Sequence, residues 1–216
     1  INGVAVDGHK FIGTAIENGA KVIVCEKCPT EISPEVTYVL VDDSIECLGK
    51  LASAYYDYPS EKLIIIGVTG TNGKTTIATL LYELYKELGY KVGLLSTVCN
   101  YINGRAIPST HTTPDALSLQ KLLAEMAEER CYYVFMEVSS HSVDQKRISG
   151  INFDGAVFTN ITRDHLDYHK TFNNYIKAKQ EFFTNLPIHA FALTNADDKN
   201  GKIITQNSQA NVYSYS

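Results

Sequence analysis

The sequence predicts an α/β chain: a doubly wound, mostly parallel sheet preceded by a smaller, truncated α/β domain. Three observations carry this. From Lys62 onward, short apolar runs alternate with stretches of helical spacing, the pattern of consecutive strand–helix units on a parallel sheet. The run Leu63-Ile64-Ile65-Ile66 is continuously aliphatic, as in a strand buried on both faces. The polar residues gather just past the apolar runs, where open parallel sheets bind ligands.

Residues 1–59 make up the first unit. Phe11–Ile16 has helical apolar spacing, and Asn18-Gly19 ends it. Val22-Ile23-Val24 and Tyr38-Val39-Leu40-Val41 read as short buried strands. Ile45–Tyr56 reads as a helix capped by Asp43 or Ser44. Tyr58-Pro59-Ser60 is the expected linker, since Pro and Ser break both periodicities.

Residues 60–216 make up the second unit. After the strand Leu63–Ile66, the spacing predicts a helix over Thr75–Leu88, with Ile77, Leu80, Leu81, Leu84 and Leu88 on the inward stripe and Gly89 as its stop. Lys91–Leu95 is a strand. Ala116–Arg130 is a helix, with Thr113-Pro114 as cap and first-turn proline and Leu119, Leu122, Leu123 and Met126 facing inward. Cys131–Val138 and Phe153–Phe158 are strands, Tyr175–Leu186 a helix and Ala190–Thr194 a strand. Asn211–Ser216 reads as a strand with no closing element behind it. With Ile1 in the first position, the chain is expected to be a piece of a longer protein.

Composition excludes some classes. The 216 residues are 44% hydrophobic and 20% charged, with a net charge of −5. That balance argues against general nucleic-acid binding, which needs an excess of Lys and Arg. No apolar run approaches the roughly 20 residues of a membrane helix, and no signal peptide is visible. The five cysteines include a single C-x-x-C, Cys25 to Cys28, followed by Pro29. Without a second pair these read as free thiols in a reducing cytoplasm.

Behind Leu63–Ile66 stand Gly67, Gly70 and Gly73, then Lys74-Thr75-Thr76 opening a helix. Glycines let backbone N–H groups turn toward phosphate oxygens, and a helix N-terminus adds partial positive charge. This is a P-loop in build: Gly70, Thr71, Asn72, Gly73, Lys74, Thr75 and Thr76 cradle phosphates, Lys74 reaches the β/γ-phosphates, and the Thr75 hydroxyl suits Mg²⁺. The common pattern places Gly where this chain has Val68.

Glu137 ends an apolar strand beside that loop, placed to hold Mg²⁺ directly or through water; a solvent-facing strand-end acid is the plainer alternative. Asp164-His165-Leu166-Asp167-Tyr168-His169 is dense in ligand-type residues. One of His165 and His169 reads as a metal ligand and the other as a surface residue, with a structural imidazole as the alternative. No Glu follows the first His, so the zinc-protease pattern is missing. Lys179, by spacing alone, is a solvated helix lysine. Asn195-Ala196-Asp197-Asp198 lacks the Lys of a guanine-reading motif. Asn195 reads as a nucleotide contact or as a plain Asx turn.

Several segments together resemble the Mur ligase family: Val6–Ile12, Gly67–Thr76, Thr112-Thr113-Pro114, Glu137–His141, Gln145-Lys146-Arg147, Thr159-Asn160, Arg163–His169, Lys179 and Asn195–Asp198. The resemblance implies ATP-dependent amide formation. A carboxylate of UDP-N-acetylmuramoyl-L-alanyl-D-glutamate is phosphorylated and the acyl phosphate is then attacked by a diamino acid, meso-diaminopimelate or L-lysine. It further implies ATP and Mg²⁺ as cofactors, and Lys74, Lys179 and His165 as catalytic residues. Thr75, Glu137, His165 and a carbamylated Lys179 become metal ligands. Thr112, Thr113, Ser139, Gln145 and Arg147 become contacts to the sugar-peptide, and Asn195 touches the nucleotide. Asn2-Gly3-Val4-Ala5 lies where the family approaches the uridine, and His111 stands where an Asn is frequent. The family's third domain has no counterpart, so this chain alone is expected to bind nucleotide weakly and not to complete the ligation. A monomer is expected.

Three alternatives remain open at this point. One is a ligase of the folylpolyglutamate synthase type, which shares the Gly-Thr-Asn-Gly-Lys stretch. The others are a nucleotide-binding module without catalysis and a zinc hydrolase using His165 and His169.

Overall fold

The computed structural model describes residues 1, 6–109 and 111–216. Asn2-Gly3-Val4-Ala5, expected near the uridine, lies outside the described residues.

The first unit holds a 3-10 turn, Gly8–Phe11, then α1 (Ile12–Glu17), β1 (Val22–Cys25), β2 (Thr37–Leu40) and α2 (Ser44–Tyr55). The two strands pair in parallel as a separate sheet. Ile12, Ile23 and Cys25 form its small core. Of the two expected buried strands only β1 is half buried in alternation. In β2, Val39 is 40% and Leu40 61% exposed; β2 is an edge of a sheet of two strands. Asp43 caps α2, its Oδ1 accepting from Glu46 N at 2.8 Å. All five cysteines are free.

Tyr58-Pro59-Ser60 is not a free linker. Pro59–Lys62 is a 3-10 turn with Pro59 and Ser60 buried, and Ser60 Oγ accepts from Asn152 N at 3.1 Å. Proline's fixed φ suits a first turn, so the pattern-breaking residues mark a packed corner.

The second unit is one eight-stranded sheet in the order β10-β9-β8-β3-β7-β4-β5-β6. Its strands are β3 (Ile64–Thr69), β4 (Val92–Leu95), β5 (Cys99–Ile102), β6 (Arg105–Pro108), β7 (Tyr133–Glu137), β8 (Gly155–Phe158), β9 (Phe191–Asn195) and β10 (Asn211–Tyr215). All pair in parallel except β4–β5 and β5–β6, which are antiparallel. The β5–β6 hairpin turns on Asn103 and Gly104, at φ 48° and 86°, the Asn-Gly turn whose left-handed pair matches strand twist.

One core lies between the sheet and α4 (Ala116–Glu128), α5 (Ser140–Asp144), α7 (Phe172–Thr184) and α8 (Gly201–Thr205). The other lies beneath α3 (Lys74–Glu87). Alternation along β3 sends Ile65 into the first and Ile66 and Val68 into the second. The chain leaves β3 through α3 toward β4, and leaves β7 over the opposite face toward β8. The tip of β3 is therefore the point where the winding diverges. The register sets Glu137 beside Val68 and Phe158 beside Thr69.

Two expectations fail in detail. The inward stripe of α3 is not the leucine stripe: Leu80, Leu84 and Leu88 are 63%, 53% and 63% exposed. Ala78 and Tyr82 are buried, with Ile77, Leu81 and Tyr85 packed beside them. The sheet opposite presents Tyr101, Tyr133 and Phe135, and Tyr82 and Tyr85 stack on these rings. Ring-on-ring burial outweighs that of an aliphatic stripe. Nor does Thr113 cap α4. Asp115 does, accepting from Leu117 N and Ser118 N, which frees Thr113 for the site. Among the described residues no helix is long and apolar enough to cross a membrane.

Tyr82→Ala should lower stability by about 3 kcal/mol through loss of the buried ring, whereas Leu84→Ala should stay within about 0.5 kcal/mol. Urea-unfolding midpoints of the two variants check which face is inside.

Candidate functional site

The site is built where β3, β7 and β8 end side by side. Residues 70–73 leave β3 and are pinned by the tip of β8. Thr71 N donates to Asn160 O at 2.8 Å and Asn72 N to Asn160 Oδ1 at 3.0 Å. Asn72 O accepts from Thr159 Oγ1 at 2.6 Å and from Asn160 Nδ2 at 3.1 Å. A Cβ on Gly70 would overlap Thr159 Oγ1, so only glycine lets the two strand tips meet this closely. Gly73 sits at φ 84° as the N-cap of α3, and Lys74, Thr75 and Thr76 form its first turn. Lys74 Nζ donates to the carbonyls of Gly70 and Thr71, both at 3.0 Å.

Glu137 ends β7 and is 1% exposed. Its Oε1 accepts from Thr97 N at 2.7 Å and its Oε2 from Thr97 Oγ1 at 3.1 Å. With its one proton given to Glu137, Thr97 Oγ1 accepts from Thr112 Oγ1 at 3.0 Å, and Thr113 Oγ1 donates to the Glu137 carbonyl at 2.9 Å. Ser139 caps α5, accepting from Ser142 N at 3.1 Å. Arg147 Nη1 donates to Thr113 O at 2.9 Å, while its Nε and Nη2 hold Gln145 Oε1 at 2.9 and 2.5 Å. The expected sugar-peptide residues thus form one connected network with Glu137.

His165 lies at φ 52° ahead of α6 (Leu166–His169), 42% exposed and 3.6 Å from Asp164. His169 is not the surface residue of the pair: it is 5% exposed and its Nε2 meets Ser140 Oγ at 2.9 Å. The His141 ring stands 5.0 Å from His165 and 5.5 Å from His169. Burial, then these two neighbours, hold His141 below the usual imidazole range.

Lys179 overturns its reading as a solvated surface lysine. It is 1% exposed, its Nζ donates to Gly70 O at 2.9 Å, and it stands 4.7 Å over the Tyr175 ring. Burial first, and the nearby Lys74 second, bring its pKa down to about 7. Burial also lowers the pKa of Lys74, with Glu137 and Asp164 opposing. Asn195 ends β9 with both ends of its amide engaged: Nδ2 donates to Thr159 O at 2.8 Å, and Oδ1 accepts from Asp197 N at 2.9 Å, an Asx turn.

Sequence reasoning passed over Thr97, Tyr175 and His141. Thr97 follows β4, where the strand-tip rule applied to Lys91–Leu95 points to it. Tyr175, whose OH lies 3.1 Å from Thr71 Oγ1, carries no such signal, because its helical spacing marks it only as core.

Residues 68–216 match the family described as Mur ligase middle domain, and residues 1–56 the one described as Mur ligase family, catalytic domain. The chain belongs to the Mur ligase family. It is 60% identical over 216 residues to a Parabacteroides distasonis protein named UDP-N-acetylmuramoyl-L-alanyl-D-glutamate--2,6-diaminopimelate ligase, covering 100% of this chain and 44% of that one. A Bacteroides fragilis protein of the same name is 59% identical with the same coverage. The chain therefore spans less than half the length of these relatives. A solved structure of that name superposes with a TM-score of 0.80 at 30% identity, over 95% of this chain and 42% of the other. The Thermotoga maritima ligase MurF in complex with ADP shares the fold, with a TM-score of 0.58 at 24% identity over 99% of this chain and 45% of its own.

The lowered pKa of Lys179 has a sign. Between about 7 and its unfolded value of about 10.4, the unfolded chain holds the extra proton, so stability rises with pH across that window and the penalty is fully present below it. In CO₂-free buffer, Lys179→Met should be more stable than the wild type below pH 7, and the advantage should shrink toward pH 10. Unfolding midpoints across that pH range check this.

Proposed function

We propose that this chain supplies two parts of an ATP-dependent ligase. Residues 1–59 are part of the domain receiving the UDP end of the substrate, and residues 60–216 belong to the ATP-binding central domain; the domain that finishes the ligation lies outside the chain. The ligase joins a diamino acid, 2,6-diaminopimelate by the names of the relatives, to UDP-N-acetylmuramoyl-L-alanyl-D-glutamate. The observation that carries this reading is the convergence of three strand tips. The loop of β3, Glu137 of β7 and the Asp164–His165 segment after β8 meet around Lys74, whose ammonium feels both Glu137 and Asp164.

The residues take distinct tasks. Backbone amides from Gly73 into the start of α3 receive the triphosphate, while Thr71 N and Asn72 N stay bonded to Asn160 and fix the loop. Lys74, now turned onto the loop carbonyls, moves to the β/γ-phosphates. A Mg²⁺ fits the donor set, since Glu137 is a buried carboxylate with no ion-pair partner among the described residues and the Thr75 hydroxyl, in the first turn of α3, is a hard oxygen. When bound, the ion neutralises phosphate charge in the transfer. His165 and Lys179 are proposed to hold a second ion. Lys179, neutral in good part near pH 7, is able to take up CO₂ as a carbamate and become an anionic ligand. Thr112, Thr113, Ser139, Gln145 and Arg147 hold the sugar-peptide so that its carboxylate is in line with the γ-phosphate, forming the acyl phosphate that the amine then attacks. Asn195 borders the nucleotide. The five free thiols suit a reducing cytoplasm, and a monomer suffices for this chemistry.

Full-length protein should release ADP and phosphate only with both the muramoyl dipeptide and 2,6-diaminopimelate present. Turnover with folate and glutamate instead would move it to the folate branch. Lys74→Ala should lower kcat by about 10³-fold or more. Lys179→Ala should abolish turnover, with partial return on adding acetate or formate; full activity without additive would remove the carbamate role.

A further inference from the structure

One contact at this site is not used by the proposed chemistry. Lys146 Nζ donates to Asp43 Oδ2 at 2.6 Å and to Glu46 Oε2 at 3.1 Å, so a lysine from the second unit grips the N-terminus of α2 in the first. Its backbone lies at φ 51°. A side chain in that conformation costs about 1 kcal/mol relative to glycine, and such a position is kept where the surroundings use it. The turn is held by Lys146 N to Val143 O at 2.9 Å and Arg147 N to Ser142 O at 2.8 Å.

The two flanking residues engage the site instead. Arg147 reaches Thr113 O. Gln145 Nε2 donates to Tyr168 OH at 3.1 Å, and Tyr168 OH donates to Asp144 Oδ2 at 2.6 Å. Three consecutive residues therefore join α2 to the network that ends on Glu137.

Elsewhere α2 packs on α4 and on residues 149–150. Gly49 of α2 touches Ser149 and Gly150 backbone to backbone; a Cβ on Gly150 would stand 2.5 Å from Gly49 O. Beside that contact, a cavity of about 510 Å³ lined by Glu46, Lys50, Lys146 and Asn152 leaves the seam open. Within this seam Lys146 supplies the ion pairs that tie the 145–147 turn to α2.

We propose that Lys146 is a positioning residue for the sugar-peptide: by tying residues 145–147 to the start of α2, it sets Gln145 and Arg147 against Thr113 and couples the first unit to the strand-tip site. The inference rests on the ligase reading above. As a simple ion pair with its side chain 34% exposed, Lys146 would matter little to stability; as a positioning residue it governs where the substrate lies.

The test uses the full-length enzyme. Lys146→Met should raise KM for the muramoyl dipeptide about tenfold while kcat and the KM for ATP stay within about twofold. Lys146→Arg should recover most of the loss. The pair Asp43→Asn and Glu46→Gln, which keeps a capping side chain, should reproduce the effect and add little to Lys146→Met, as members of one interaction do. An unchanged dipeptide KM in Lys146→Met overturns the inference. So does an equal rise in both KM values with a lower unfolding midpoint, the mark of a merely structural residue. A wild type without dipeptide-dependent ADP release removes the ligase reading and this inference with it; wild-type turnover with an unchanged dipeptide KM in the variant removes this inference alone.

Discussion

The way the loop after β3 is held by the tip of β8 governs the rest of the site. Four hydrogen bonds from Thr159 and Asn160 reach the loop backbone at Thr71 and Asn72, and Gly70 is the residue that permits the approach. The loop backbone that leads into the start of α3 is thus ordered by protein groups. An anion meeting such a cradle encounters dipoles already oriented, and preorganised dipoles lose little to reorientation on binding. The central position of β3, with both faces buried and a strand on either side, makes the cradle rigid.

Around that loop the protein gathers charge that it does not neutralise internally. Two lysines, Lys74 and Lys179, share the Gly70 carbonyl, and each is discouraged from ionising by burial. Glu137, equally buried, is held by Thr97 through neutral hydrogen bonds. Such an arrangement is costly in a protein built for stability alone. Under the proposed function, polyphosphate and divalent cations offset that cost, so the ligase reading and these electrostatics support one another.

Much of this was legible in one dimension. The apolar run before the glycines identified β3, the residues just past the apolar runs proved to be those at the strand tips, and Asp43 and Leu119, Leu123 and Met126 took their expected places. Two of the failures share one cause: two stripes or two caps were locally equivalent and a distant partner chose. The leucines of α3 satisfy helical spacing as well as Tyr82 and Tyr85 do, but the aromatic surface of β5 and β7 selected the tyrosines. Thr113 is as good an N-cap by type as Asp115, but Glu137 and Arg147 claimed it.

The longer strands and helices from β3 on, the glycine loop ahead of α3 and the family membership were legible in the sequence alone, because each rests on residues adjacent in the chain or on motifs in a fixed order; the β5–β6 hairpin and the short helices α5, α6 and α8, too brief to show a periodicity, were not. Tertiary structure alone decided that Lys179 is buried against Gly70 rather than solvated, that His169 is a structural imidazole bonded to Ser140, and that Lys146 clasps α2. These depend on residues 109, 29 and 100 to 103 positions apart. The environment of an ionisable side chain is a property of what folds over it, and no local pattern carries that information.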